Sequence, residues 1–330
     1  MPCYTPNYGY KQFNSLTSKN FIKFCSYDTY KLHKSVNDNF IVLPCYKCIG
    51  CRLGRSREWA ARCVHESSLY QDNCFITLTY DDLHLPSNYS LDMKHLQDFW
   101  KRLRYYYGDK IRFYAAGEYG EKTGRPHYHA CVFNFDFKDK VLVSNRRGNN
   151  IFLSQSLRDI WGKGNVSIGS LTFQSAAYTA RYIMKKQYSS IDEFKHVVND
   201  ENVPKLIRVS KKVDLDEHYS FVDVSTGELV KRRPEFTVMS RRPGIGREWY
   251  ERYKKDCYPS DFLIVNGSKC AVPKYYDKIF ALEEPGLFEL IKDVRRSNAK
   301  RLDSENTPER LMVKHQSKLD KISRLSRELD

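Results

Sequence analysis

Apolar positions change their period several times along the chain, and each change marks an element. Cys74-Phe75-Ile76-Thr77-Leu78-Thr79-Tyr80 is rich in β-branched and aromatic residues and predicts a strand. Over residues 92–107 the apolar positions fall at Leu96, Phe99, Trp100 and Leu103, the spacing of one helix face. Residues 111–117 and about 128–135 read as extended, joined by a turn-rich stretch over 118–126. Residues 153–161 predict a helix, 165–173 an extended segment and 176–187 a further helix. Parallel neighbours need long crossovers, so the short connection between the second and third strands predicts an antiparallel pair. The pattern therefore predicts an α+β fold, a central antiparallel sheet with helices packed on one face, rather than a doubly wound sheet.

The flanks are less regular. Residues 1–39 show no clear period and read as an irregular Tyr/Asn/Ser-rich stretch before Phe40-Ile41-Val42-Leu43-Pro44. Residues 56–70 predict a helix with Trp59, Cys63, Glu66 and Tyr70 along one side. Beyond about residue 190 the signal weakens to a hairpin over 218–223 and 228–239 and a helix over 247–254. In the charged tail, Leu311, His315, Leu319, Ile322 and Leu325 mark one face of a final helix. The expected organisation is an N-terminal Cys-rich basic module over 1–70 and a central domain over 71–190. An accessory region over 191–287 and a charged helical tail over 288–330 form the C-terminal extension.

Charge narrows the range of partners. Lys+Arg of 55 against Asp+Glu of 40 leaves a net charge of +15, which favours polyanions, above all nucleic acid. The 24 tyrosines are numerous enough to offer base-stacking platforms. No apolar run approaches the ~18 residues of a membrane span, and the start of the chain has no secretory apolar segment. Ten cysteines without an export signal predict a reducing compartment, where thiols bind metal or pack.

Two residue pairs carry the chemistry. His127 and His129, one residue apart in a predicted strand, project from one face. Glu118, nine residues earlier across a predicted hairpin, can bring a carboxylate to that face, with Glu121 a rival in the turn. Two imidazoles and a carboxylate leave coordination positions open, as catalytic metal sites do. Tyr178 and Tyr182 lie one helical turn apart with Lys185 on the same stripe and Arg181 and Lys186 beside it. A phenol is a poor nucleophile at neutral pH unless a cation or metal stabilises its phenolate, and Lys185 could do so.

Residues 75–80, Pro126-His127-Tyr128-His129, and Tyr178-x-x-x-Tyr182-x-x-Lys185 resemble, in order and spacing, the three motifs of the HUH endonucleases that start rolling-circle replication. Met1-Pro2-Cys3, the stretch over 44–51, Gly120-Glu121-Lys122-Thr123-Gly124-Arg125-Pro126-His127 and Met239-Ser240-Arg241-Arg242-Pro243-Gly244 are similar to the replication initiators of small single-stranded DNA phages, the Microviridae, in their gokushovirus-like group. The resemblance implies an HUH, ferredoxin-like (RRM-like) catalytic fold. It implies Mg²⁺ or Mn²⁺ held by His127, His129 and Glu118, with Tyr178 and Tyr182 as nucleophiles that form a 5′-phosphotyrosine. It also implies single-stranded and replicative-form phage DNA as substrates, in the cytoplasm of a bacterial host. The chain carries no G-x-x-x-x-G-K-[ST] loop, so no nucleotide cofactor is expected and a host helicase and polymerase are.

Cys45-x-x-Cys48-x-x-Cys51 can wrap a tetrahedral metal, structural zinc in preference to iron–sulfur, with a fourth ligand from Cys3, Cys25, Cys63 or His65 and Cys3 favoured. Arg181, Lys186, Arg241 and Arg242 are candidate DNA contacts, and the turn over 241–246 could cradle a phosphate or be only a turn. Two other readings stay open: a related HUH relaxase or transposase, and a zinc-containing DNA-binding protein without catalysis.

Overall fold

The computed structural model describes residues 3–37, 39–120, 123–146, 148–185, 190–198, 204–222 and 226–324, without side chains at 146, 182–185, 190–198 and 204–210. In chain order the elements begin with β1 (Asn7–Asn14), β2 (Lys19–Cys25), α1 (Tyr27–His33), β3 (Phe40–Leu43) and α2 (Ile49–Ser67). Next come β4 (Asn73–Thr79), α3 (Met93–Tyr107), β5 (Arg112–Tyr119), β6 (Pro126–Phe133), β7 (Val141–Arg146), β8 (Asn149–Leu153), α4 (Gln155–Trp161), β9 (Val166–Gly169) and α5 (Phe173–Lys185). The remainder is β10 (Ser190–Val198), β11 (Pro204–Lys212), α6 (Leu215–Tyr219), β12 (Ser220–Val222), β13 (Leu229–Lys231), β14 (Phe236–Met239), α7 (Arg247–Cys257), β15 (Leu263–Val265), β16 (Ser268–Cys270), α8 (Lys274–Glu283), α9 (Pro285–Arg301) and α10 (Pro308–Ser323). The chain forms two compact units, one of residues 1–54, 188–213 and 297–330, the other of 55–187 and 214–296.

The larger unit is built on a seven-stranded sheet of order β14-β5-β6-β4-β9-β8-β7, and every pairing in it is antiparallel. Strand β4 alternates strictly, with Cys74, Ile76 and Leu78 buried on one face. Helix α3 covers that face with Leu96, Phe99, Trp100 and Leu103. Full burial of a side chain such as Phe99 or Leu103 contributes about 1.5–3 kcal/mol, and Trp100 stacks on Phe113 of β5 with ring centroids 3.9 Å apart. Asp92 caps α3 by accepting from the amides of Lys94 and His95. Helix α4 adds Leu157, Ile160 and Trp161, and the Trp161 indole donates to the Thr79 carbonyl at 3.0 Å.

The antiparallel α+β class expected from the sequence holds, with one difference: helices cover both faces. Tyr114 of β5 with Cys131 and Phe133 of β6 pack against Ala60 and Cys63 of α2 and Ala176 and Ala180 of α5. The physical sign is in β5 and β6 themselves, which are apolar on successive residues rather than alternate ones, as strands buried on two sides must be. A further cluster joins α7, α8 and α9 through Tyr250, Tyr276, Phe280, Phe288 and Ile291.

In the smaller unit β1 runs between β2 and β3, antiparallel to both. The stretch read as irregular through residue 39 is thus a hairpin and a short helix. Strand β2 is almost wholly exposed and Phe21, Ile22 and Phe24 face solvent, so no buried face imposes a period-two pattern. Tyr8 of β1 packs on Tyr27 and Tyr30 of α1 at 5.1 and 5.0 Å. Strands β10 and β11 pair with each other. Lys34 bonds Asp303 at 2.7 Å, and Tyr4 stacks on His315 of α10, whose Leu311 is buried. Leu325, placed on that helix's face by the sequence pattern, lies outside the described residues.

Candidate metal centre and tyrosine helix

The site begins with strand register. In the β5–β6 hairpin Glu118 pairs with His127 and Ala116 with His129, while in β4 Thr77 pairs with His129 and Thr79 with His127. Side chains alternate across a strand, so Thr77, Glu118, His127 and His129 share the face that α5 covers. The hairpin turns tightly enough to hold this register: Gly120 donates to the Arg125 carbonyl at 3.0 Å, and Gly124 adopts a positive φ of 62° that favours glycine. Glu121, the rival ligand, lies outside the described residues.

Glu118, His127 and His129 bring their ligand atoms within 4.8 Å of one another. Glu118 Oε1 is 2.7 Å from His127 Nε2 and 3.2 Å from His129 Nε2, and the two imidazole rings stand at 88°. Each far ring nitrogen has its own partner. His127 Nδ1 lies 3.1 Å from the Arg125 carbonyl, to which it can only donate, and His129 Nδ1 lies 2.9 Å from Thr77 Oγ1. An imidazole that donates from Nδ1 turns the Nε2 lone pair toward Glu118, and a lone pair facing a carboxylate oxygen needs positive charge between them. A proton or a metal cation meets that need, so the three residues fit a divalent ion. Burial of Glu118 pushes its carboxyl up, but hydrogen bonds from His127 and His129 outweigh this and hold it down to about 2. The carboxylate is 1 % exposed and His127 17 %, so Glu118 forms the floor and His127 the more open side.

Helix α5 brings a phenol to this face. It starts three residues earlier than its apolar pattern predicts because Thr172 and Ser175 cap it reciprocally: the Ser175 amide donates to Thr172 Oγ1 at 3.2 Å and the Thr172 amide to Ser175 Oγ at 2.8 Å. The small residues Ala176 and Ala180, both fully buried, let the helix lie close to the sheet. Tyr178 then meets His129 edge-on with ring centroids 5.2 Å apart, and the Arg181 guanidinium lies 5.4 Å from the Tyr178 ring centre. The side chains of Tyr182 and Lys185, and all of Lys186, lie outside the described residues; the backbone sets Tyr182 one turn beyond Tyr178 on α5. Thr77 and Phe75, which stacks on His129 at 5.6 Å, were not singled out from sequence. Their signal was the alternation of β4, which turns both toward the histidine face once the register is known.

The profile of the replication-associated protein ORF2/G2P family matches residues 73–187. Replication-associated protein VP4 of Bdellovibrio phage phiMH2K is 32% identical over 268 residues, 78% of this chain and 73% of that protein. Replication-associated protein ORF2 of Spiroplasma virus 4 is 33% identical over 285 residues, 81% of this chain and 78% of that protein. The chain belongs to the phage replication-associated protein family. Replication-associated protein ORF4 of Chlamydia phage 1, another relative, is 37% identical over 243 residues, 71% of this chain and 52% of its own length. No solved structure matches. The matched span, β4 through α5, contains every residue of the family member's candidate centre: Thr77, Glu118, His127, His129 and Tyr178.

Other candidate residues lie outside that span. Cys3, Cys45, Cys48 and Cys51 form a second group with its sulfur atoms within 4.8 Å of one another. The other candidates for the fourth position are elsewhere: Cys63 is buried against the sheet, His65 stacks on Trp249 at 3.6 Å, and Cys25 ends β2. Arg241 and Arg242 are exposed in the turn after β14, beside the Phe113 end of β5, with Glu118 toward the other end of that strand. That turn is latched to the protein: the Gly246 amide donates to Glu66 at 2.6 Å and Arg62 donates twice to the Ile245 carbonyl. The Gly246 amide is thereby committed to a carboxylate rather than to a phosphate. Among the described residues no helix is long and apolar enough to cross a membrane.

Proposed function

We propose that this family member initiates phage replication by nicking single-stranded DNA at the origin and later rejoining it, with tyrosine as the nucleophile. The observation that carries the proposal is the convergence of Glu118, His127 and His129 beside the ring of Tyr178. The three residues would hold Mg²⁺ or Mn²⁺, for which a mixed imidazole and carboxylate set with open positions is suited. Such an ion supplies Lewis-acid polarisation of the scissile phosphate and offsets charge on the leaving oxygen.

The chain's own residues do the rest. Thr77 and the Arg125 carbonyl orient the imidazoles, and Glu118 would offset the charge of the ion they hold. Tyr178 or Tyr182 gives up its phenol proton to solvent and attacks phosphorus through the phenol oxygen; the bond from phosphorus to the 3′ oxygen breaks, and that oxygen takes up a proton and leaves as a free 3′-OH. The 5′ phosphate stays on the tyrosine, so rejoining is the reverse attack by a 3′-OH and needs no nucleotide cofactor. Two tyrosines one turn apart would let one hold the old 5′ end while the other cuts again. Arg181 and Lys186 would meet the DNA backbone, and Lys185 would neutralise phenolate or phosphate. Unwinding and synthesis would fall to a host helicase and polymerase in the infected cell.

The test is full-length protein with an origin-bearing oligonucleotide and Mn²⁺. It is expected to give a covalent protein–DNA adduct that a chelator abolishes. Mass spectrometry of the DNA-linked peptide should place the link on Tyr178 or Tyr182, and the Tyr178→Phe/Tyr182→Phe pair should give no adduct. An adduct that persists in the double variant, or backbones left intact by wild type with excess metal, would overturn the proposal; the second result favours a DNA-binding protein without catalysis.

A further inference from the structure

We infer that Cys3, Cys45, Cys48 and Cys51 form a structural zinc site that staples the N-terminal three-stranded sheet into a closed loop. The proposal is independent of the nicking chemistry, because all four residues precede the family-matched span.

The four sulfur atoms lie within 4.8 Å of one another, and those of Cys3 and Cys48 are 3.8 Å apart. Four Zn–S bonds of about 2.3 Å in a tetrahedron put neighbouring sulfurs about 3.8 Å apart. A disulfide needs about 2.05 Å, so the Cys3–Cys48 pair is not one. An iron–sulfur cluster would place several irons and sulfides between the thiolates and spread them beyond this spacing.

Hydrogen-bond donors surround the sulfurs. Cys45 Sγ accepts from Thr5 Oγ1 at 3.1 Å, from the Cys48 amide at 3.2 Å and from the Lys47 amide at 3.4 Å. Cys48 Sγ accepts from the Tyr4 amide and Cys3 Sγ from the Cys45 amide, both at 3.2 Å. A neutral thiol is a weak acceptor, whereas a metal-bound thiolate is a strong one. Tyr46, with φ 61°, makes the turn that aims the amides of residues 47 and 48 at Cys45. Cys48 stands at the start of α2, its carbonyl accepting from the Arg52 amide, and Cys51 is in the first turn. That turn holds no acidic residue, so a tetrathiolate would supply the negative charge that a helix N-terminus favours.

The small sheet also needs a cross-link. Strands β1, β2 and β3 all fall between Cys3 and Cys45, and Gly9 is their one fully buried residue. A sheet with so little core gains most from a cross-link that closes its ends. On binding, each thiol still protonated gives its proton to solvent, and four sulfur–zinc bonds form with no change in oxidation state.

Full-length protein purified under reducing conditions without added metal is expected to hold about one zinc per chain by elemental mass spectrometry. It should keep that zinc when His127→Ala/His129→Ala removes the other candidate centre, and lose it with Cys45→Ser/Cys48→Ser. Wild type carries two further readouts that do not depend on the folding of the cysteine variant. Cobalt exchanged for zinc should show intense sulfur-to-metal charge transfer with tetrahedral d–d bands. Four of the ten cysteines should react with a thiol reagent only as zinc is released. Iron in place of zinc, cobalt bound without sulfur charge transfer, or no bound metal at all would overturn the inference.

Discussion

Thr77 does for His129 what the Arg125 carbonyl does for His127: each engages the ring nitrogen that faces away from Glu118. This division of labour gives Thr77 a role that its position in a hydrophobic strand conceals. Thr77→Val keeps the shape and removes the hydroxyl, so the fold should survive. The affinity for Mn²⁺ should fall about 10–100-fold, the usual cost of losing an outer-shell partner of a metal-binding histidine. The measurement is the Mn²⁺ concentration that gives half-maximal adduct formation, and an unchanged value would mean the hydroxyl does not orient the ring. Glu118 is the complementary case. Its carboxyl is buried yet held down to about 2, because the two histidines beside it outweigh the penalty of burial.

Helix α2 shows how one element ties others together. Its His65 is 5 % exposed, stacks on Trp249 of α7 at 3.6 Å and meets the Tyr276 hydroxyl of α8 at 3.0 Å. Burial lowers its pKa from the usual 6.5 to about 3, so it is neutral in the fold at ordinary pH. Between those values the unfolded chain takes up a proton that the folded chain refuses. This stabilising contribution is complete above pH 6.5 and is lost as the pH falls through the window. The loss is about 1.4 kcal/mol per pH unit at most. His65→Phe should keep the stacking and flatten the fall in melting temperature between pH 6.5 and about 4 relative to wild type. Parallel curves for the two proteins would contradict the assignment. Element-level packing also explains α5: Ala176 and Ala180 bring it against β5 and β6, and that close approach is what sets Tyr178 beside His129.

At +15 the molecule as a whole is a polycation, and its proposed substrate is a polyanion. Binding to single-stranded DNA should therefore weaken steeply with salt, each neutralised phosphate adding about 0.7 to the slope of log K against log salt. If the exposed Arg241 and Arg242 both meet phosphates, Arg241→Ala/Arg242→Ala should flatten the slope by about 1.4. Fluorescence anisotropy over a salt series measures this, and an unaltered slope would take the β14 turn off the DNA path.

Strands β4, β5, β6 and β9 and helices α3, α4 and α5 were legible in local pattern, because burial on a sheet face or helix stripe writes its period into the chain; the more exposed β7 and β8 were not. The grouping of the three candidate ligands was legible too, since His-x-His on one strand must share a face and Glu118 needed only a short hairpin to reach it. The first 39 residues were not legible, for exposed strands such as β2 have no buried face to impose a pattern. The second helical layer and the pairing of Thr77 with His129 depend on which distant segments meet. Register and packing settle those contacts across tens of residues, and no local period encodes them.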